Sequence, residues 1–387
     1  METLMIYPSL NLDARLYLND ANGKPGSASF TRASGATYRD ATGKTRLASS
    51  GTLRHDFVPD GSYLGWLIEE QRSNVVLYSD LGNADWVPAN GSGWATTKTA
   101  AYKDTGGYHA ACRVQTPGST GLLDADSTPL TQAGDYCYSL WAQSNTAASY
   151  TAMLVVYGFG GGAHSSQLAI TITPQPQRFT LTFNFTSADA AVGVASIQLR
   201  AIQADADILA WDAQCERGSF PTSLIPTAGV AATRAADLLT LAGSSFALNQ
   251  AEGTLLIRYH SAASLAPNEC AAQLSDAGGT NYLSLFNKSG GGDLRGLVSA
   301  AADLSFGGAQ PRASHCLALA YKANDFALTA DGAVPLTDGS GSVPAGLDLL
   351  RIGSQIGFGN WLNGCIRHIA YFPRRLPNAE LQDITRL

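Results

Sequence analysis

The chain has 387 residues, enough for two or three domains with sizeable hydrophobic cores. Charged residues make up 14% of it, against about 25% in ordinary soluble domains, and the formal net charge is −6 with no basic block. That balance argues against the dense Lys/Arg footprint of a nucleic-acid binder, and the short apolar runs argue against both a membrane span and disorder.

The amino terminus, METLMIYPSLNLDARL, lacks a basic stretch followed by a long apolar run, so no secretory leader is expected. Residues 1–80 are turn-rich yet carry Tyr7, Tyr17, Phe30, Tyr38, Phe57, Tyr63 and Trp66. A stretch this aromatic is poorly explained as a free tail. It is set apart as a segment for attachment and self-association, its rings covered by other copies, by the following domain or by a larger assembly. Beyond it, short alternating or apolar runs recur at 152–157, 168–173, 178–185, 192–200, 208–215, 254–260 and 315–321, each bounded by Gly, Pro, Asn, Asp or Ser. At 178–185, Phe179, Leu181, Phe183 and Phe185 alternate with Thr180, Thr182 and Asn184, which predicts a strand with one buried face. Pro221, Pro226 and Gly229 precede an Ala-rich stretch at 230–241, read as a linker between two β domains, 81–229 and 230–387. One late helix is predicted over 378–385, after Pro377, with Leu381 and Ile384 on one face. The six cysteines form no CxxC pair and read as free, buried thiols of a chain made in a reducing cytosol. The fold class is therefore all-β: an amino-terminal segment and two β domains, sandwiches or barrels by their strand pattern.

Three motifs carry a family resemblance. FTRASGATY (30–38) with GWLIEEQRSNVVLYSD (65–80) resembles the amino-terminal segment of tailed-bacteriophage virion fibre proteins, of head-spike and tail-fibre types. Trp66 and Ser73 stand where that pattern has an aliphatic residue and a Thr. The stretch 86–227, with YCYSLWAQS (136–144) and ILAWDAQCERGSFPTSLIPTAG (208–229), resembles a carbohydrate-binding-module-like jelly roll. LRIGSQIGFGNWLNGCIRHIAYFPRRLPNAELQDIT (350–385) is similar to a concanavalin-A-like, laminin-G-like sandwich. The resemblance implies a non-enzymatic component of a virion surface, synthesised in the host bacterial cytoplasm. It would be multimeric with three copies favoured, held to other virion proteins through residues 1–80, and in contact with a bacterial surface glycan. Neither nucleic acid nor membrane insertion is implied. A purely structural decorating protein and a glycan-cleaving enzyme are the alternatives.

Catalytic spacings are scarce. There is no HExxH, P-loop or GxSxG elbow, and the six histidines are scattered. Asp205 and Asp207 form an i, i+2 acid pair with Asp212 and Glu216 nearby, open to three readings: solvated turn acids, a calcium site or a catalytic pair. Asp212 follows Trp211 inside an apolar strand, so its carboxylate must face solvent, meet a cation or ligate a metal. No cofactor is required, and a structural calcium on Asp205, Asp207 and Asp212 is the one candidate. For sugar contact the candidates are Trp86 and Trp94 in DWVPANGSGW, Tyr102 and Tyr108 around a KDTGG turn, and Asn360 and Trp361 in a Gly-rich tip that begins at Phe358. Core packing is the competing role for the tryptophans, with Trp86 leaning to the core and Trp94 to contact.

Overall fold

The computed structural model describes residues 8–17, 24–91, 93–158, 165–261, 268–288, 292–307, 313–356 and 359–387. The glycine-rich runs at 159–162 and 289–291, and Phe358, lie outside the described residues. The architecture is all-β, with two short α-helices, Ser187–Val192 and Asn378–Ile384, among the described residues. The second is the helix predicted at the carboxyl end. The first has a sequence signature that went unread, a Thr186/Asp189 capping box closed by Gly193. All six cysteines are buried and unpaired. No helix among the described residues is long and apolar enough to cross a membrane.

The described residues divide into two units. One takes those within 1–42, 48–71 and 235–387, and the other those within 43–47 and 72–234. The second is thus an insertion into the first, and this corrects the expected order of a separate 1–80 segment followed by two domains. Leu10–Asp13 pairs antiparallel with one half of Gly364–Phe372, from Leu10 opposite Tyr371 to Asp13 opposite His368. Tyr63–Ile68 takes the other half, with Trp66 opposite Ile366 and Ile68 opposite Gly364. Ser29–Thr31 extends the facing sheet beside Leu238–Ala242. The aromatic residues that set this segment apart have a local explanation. Phe30 and Trp66 are buried in the core that also holds Leu239, Ile257, Leu319 and Tyr371. Gly65 is required where Tyr63–Ile68 passes the last strand: its φ is +144° and a Cβ there would lie 2.2 Å from the Ile366 carbonyl oxygen. A chain lacking 1–72 is therefore expected to lose this sandwich rather than to stay folded.

Four charges are buried where the chain leaves and re-enters this unit. Arg54 pairs with Glu69 at 2.8 Å and with Asp237 at 2.5 Å, and Asp237 also holds Arg32 at 3.1 Å, with all four side chains 0–4% exposed. The outgoing and returning backbones bond to each other, Glu69 N–H to the Asp237 carboxylate and Asp237 N–H to the Glu69 carbonyl, both at 2.9 Å. Burial alone would lower the Arg54 pKa; Asp237 and Glu69 reverse this and hold it above the ordinary arginine value.

Nearby Asp56 behaves in the opposite sense. Burial pushes its carboxyl up to about 6 from 3.8, against the Arg39 N–H that its Oδ1 accepts at 2.7 Å and against the Arg54 charge. The folded state therefore holds this proton more tightly than the unfolded chain, and stability falls as pH rises from about 4 to about 6. Asp56→Asn, which keeps the Oδ1 acceptor, is expected to remove that slope. It should also raise stability at pH 8 by about 1–2 kcal/mol in urea unfolding, the side chain's partial exposure trimming the full linkage value.

The inserted unit is a jelly roll. Its larger sheet runs Thr97–Lys103, Ala111–Gln115, Asp207–Arg217, Gly134–Ser144, Gln177–Phe185, with Arg72–Asn74 and Ala232–Arg234 attached to it. Its five-stranded sheet runs Ser165–Ile172, Tyr150–Gly158, Val194–Ile202, Gly121–Pro129, Val87–Pro88. The predicted alternation holds: Phe179, Leu181, Phe183 and Phe185 enter the core between the sheets, beside Tyr138, Leu154 and Ile197.

Candidate functional site

Each acid of the expected calcium site has another role. Asp205 sits at a positive φ of 57° and accepts the Gly118 N–H at 2.8 Å, closing a turn. Asp207 takes both arms of Arg113, at 2.8 and 2.6 Å, and this contact holds its carboxyl below the ordinary range. Asp212, 3% exposed, accepts the backbone N–H groups of Tyr108 at 2.8 Å and His109 at 3.0 Å, and contacts His109 Nδ1 at 2.9 Å. It fastens the 107–109 loop over Trp211, where a Cβ on Gly107 would come within 2.2 Å of the indole. The buried carboxylate thus meets donors of its own chain, one way to offset its desolvation. Among the described residues no three His, Cys, Asp or Glu side chains converge as a metal site would need.

The aromatic candidates separate likewise. Trp86 is fully buried in the jelly-roll core, its Nε1–H donating to the Tyr78 carbonyl at 2.8 Å, so it is no sugar contact. Trp361 packs against the core of the other unit and donates Nε1–H to the Asp237 carbonyl at 3.0 Å. Asn360 closes the same loop through the Gln355 side chain at 2.9 Å. Both are loop fasteners rather than a free tip. Tyr102 and Tyr108 are exposed beside the larger jelly-roll sheet. Arg113 lies over the Tyr102 ring at 5.0 Å, and Tyr108 stands edge-on to His109. Trp94, half-buried, lies in the two-residue strand Trp94–Ala95, which pairs with Asn90–Gly91 and is bridged to Thr120 at the edge of the five-stranded sheet, and Arg200 of that sheet lies 5.6 Å from its ring centre.

Around Trp94 the outer face of that sheet carries a polar cluster. Along Val194–Ile202, Ala195, Ile197 and Leu199 face the core, which turns Ser196, Gln198 and Arg200 outward. Register sets Asp124, Gln198, Val155 and Gln167 in one row across four strands, with Ser196 beside Tyr157 and Arg200 beside Met153 in the flanking rows. Asp124 accepts from both Ser196 and Gln198, and Gln198 Nε2 also reaches the Ser196 oxygen at 2.8 Å. Gln198 Oε1 is buried with no partner among the described residues. Such a face offers indole and phenol rings for apolar C–H surface, a guanidinium, and amide, hydroxyl and carboxylate groups for ligand hydroxyls.

No protein-family model and no curated protein sequence matches this chain. It is similar to solved carbohydrate-binding modules. One is the CBM40 of the Ruminococcus gnavus IT-sialidase, bound to α2,3-sialyllactose, at 17% identity and a TM-score of 0.32 over 38% of this chain and 88% of that one. Another is the CBM22-1 xylan-binding domain of Paenibacillus barcinonensis Xyn10C, at 12% identity and 0.27 over 43% and 98%. A third is the CBM22-1–GH10 portion of Clostridium thermocellum xylanase 10B, complexed with xylohexaose, at 12% identity and 0.28; there the match spans 39% of this chain and 29% of the other.

Of the sugar-contact candidates, Trp94 is the one brought to this face, through Arg200. Asp124, Ser196, Gln198 and Arg200 were missed, although the sequence carries their signal. Ser196-Ile197-Gln198-Leu199-Arg200 alternates polar with apolar residues, and Asp124-Ala125-Asp126 is a second i, i+2 acid pair.

Proposed function

We propose that this protein is a non-enzymatic glycan-binding component of a tailed-phage virion surface, with the Trp94 face of the jelly roll as its glycan contact. The observation that carries the glycan reading is the outward cluster of Asp124, Ser196 and Gln198, with an unpartnered Gln198 Oε1 and with Trp94 and Arg200 at its rim. A buried acceptor without a partner costs about 1–3 kcal/mol, a penalty that a ligand hydroxyl donated to it would remove. The virion placement rests on the sequence resemblance at 30–38 and 65–80. Several parallel copies, three favoured, would raise weak single-site binding to useful avidity. Assembly in the host cytoplasm accords with six buried, unpaired thiols.

The test is binding of the full chain to host cells and to an array of bacterial surface glycans, paired with thermal melting. Trp94→Ala is expected to weaken binding tenfold or more while the melting temperature stays nearly unchanged, because Trp94 is half-buried at the rim. Unchanged binding by the variant, or reducing-sugar release from host polysaccharide by the wild-type chain, would overturn this reading.

A further inference from the structure

In the other unit a row of polar side chains lies on the face of the seven-stranded sheet turned away from the core, with Gln355 and Ile356 bonded to it. Along Leu349–Ile352, Leu350 and Ile352 point into the core, which turns Arg351 to the opposite face. Its cross-strand neighbours there are Thr240 and Gln273, and Gln273 is followed across the sheet by Ser284. Directly opposed side chains on one face have Cβ atoms about 5 Å apart.

The cation in this row has no counter-ion among the described residues. Arg351 Nε is buried without a partner, and the rest of the guanidinium makes no hydrogen bond or ion pair among the described residues. Other arginines of this unit are matched, Arg295 with Asp303, Arg374 with Glu380 and Arg375 with Asp325. Burial holds the Arg351 pKa below the ordinary value, and no acidic neighbour among the described residues offsets it. Beside it two further polar groups are idle. Gln273, fully buried, uses Oε1 to accept the Ile356 N–H at 2.8 Å, while its Nε2 has no partner among the described residues. The Ser275 hydroxyl, on the same face of the same strand, is equally buried and unpartnered. A desolvated guanidinium, an idle amide N–H and an idle hydroxyl on neighbouring positions are complementary to one kind of ligand group.

We propose that this face binds an oxyanion, a carboxylate or sulfate group, with Arg351 as the charge partner and Gln273 Nε2 and Ser275 Oγ as supporting donors. Arg351 as a residue is only half-buried although its Nε is buried, so the anion reaches the site from solvent along this side chain. The source of the group is either a free inorganic anion or the carboxylate of an acidic sugar.

Thermal melting of the full chain at constant ionic strength tests this, with sodium sulfate, sodium glucuronate and glucose each added at millimolar concentration in place of chloride. Sulfate and glucuronate are expected to raise the melting temperature along a saturating curve, and glucose to leave it unchanged. A tighter midpoint for glucuronate assigns the site to an acidic sugar, and an equal or tighter one for sulfate to a free anion. Arg351→Gln should weaken the apparent affinity at least tenfold, about 1.4 kcal/mol, whereas Arg351→Lys keeps a point charge and part of the effect. A response that rises without saturating is the general exclusion effect of sulfate and overturns the site. So does a glucose response equal to that of glucuronate, or an undiminished response in Arg351→Gln. If that variant does not fold, the saturation test on the wild-type chain and the Arg351→Lys comparison decide alone. Glycan binding through Trp94 is scored on the array, so either site can fail without the other.

Discussion

Asp237→Ala is expected to destabilise the sandwich that holds it by about 3–5 kcal/mol, the cost of leaving buried charge without its partner. Asp237 serves three donors at once: Arg32 at 3.1 Å, Arg54 at 2.5 Å and the Glu69 N–H at 2.9 Å. With Asp237 present, two guanidiniums face two carboxylates. Without it both buried guanidiniums lose a carboxylate, where water cannot reach them to compensate. The loss should appear in urea unfolding as a lower midpoint with an unchanged slope. A double-mutant cycle separates charge imbalance from lost packing. Arg54→Met combined with Asp237→Ala removes one charge of each sign, and should cost clearly less than the sum of the two single changes. Additive losses would mean that the cluster acts through shape rather than charge.

The same cluster shows where sequence reading stopped. The all-β class, the core face of Gln177–Phe185 and the late helix all follow from alternation and turn chemistry within a dozen residues. The insertion does not. Leu10 meets Tyr371, and Arg32 meets Asp237 across 205 positions, and neither contact leaves a local pattern. The strands concerned are three to six residues long, as at Ser29–Thr31 and Tyr63–Ile68, too short for periodicity to declare their partners. FTRASG and GWLIEE stood out as motifs, and part of their content is now physical: Arg32 and Glu69 are two of the four buried charges. Asp212 was partly legible. A carboxylate in an apolar strand had to find donors, but backbone N–H groups of the 107–109 loop are invisible to side-chain spacing. Tryptophans in loop-rich sequence gave the weakest guidance, since an indole beside Gly, Asn and Pro reads alike whether it is a core plug, as Trp86 is, or a rim residue, as Trp94 is.

That distinction makes Trp86→Ala and Trp94→Ala a matched pair, eight positions apart and opposite in expected effect. Trp86 has no exposed surface, packs among Val76, Leu81 and Leu123, and spends its indole N–H on the Tyr78 carbonyl at 2.8 Å. Truncating it removes apolar contact on every side and orphans a carbonyl that the N–H had satisfied. A pocket of about 300 Å³ already lies beside it, lined by Val76, Tyr78, Ala125 and Thr128, so the new void joins an existing one. Relaxation around the site is then less able to refill the space, which puts the expected loss at the upper end of about 3–5 kcal/mol. Trp86→Phe, which keeps most of the apolar volume and loses only the N–H and one ring, should recover more than half of that loss. Calorimetry on both variants checks the ordering, and a melting temperature for Trp86→Ala close to that of the wild type would mean that the indole is not the core plug its burial makes it.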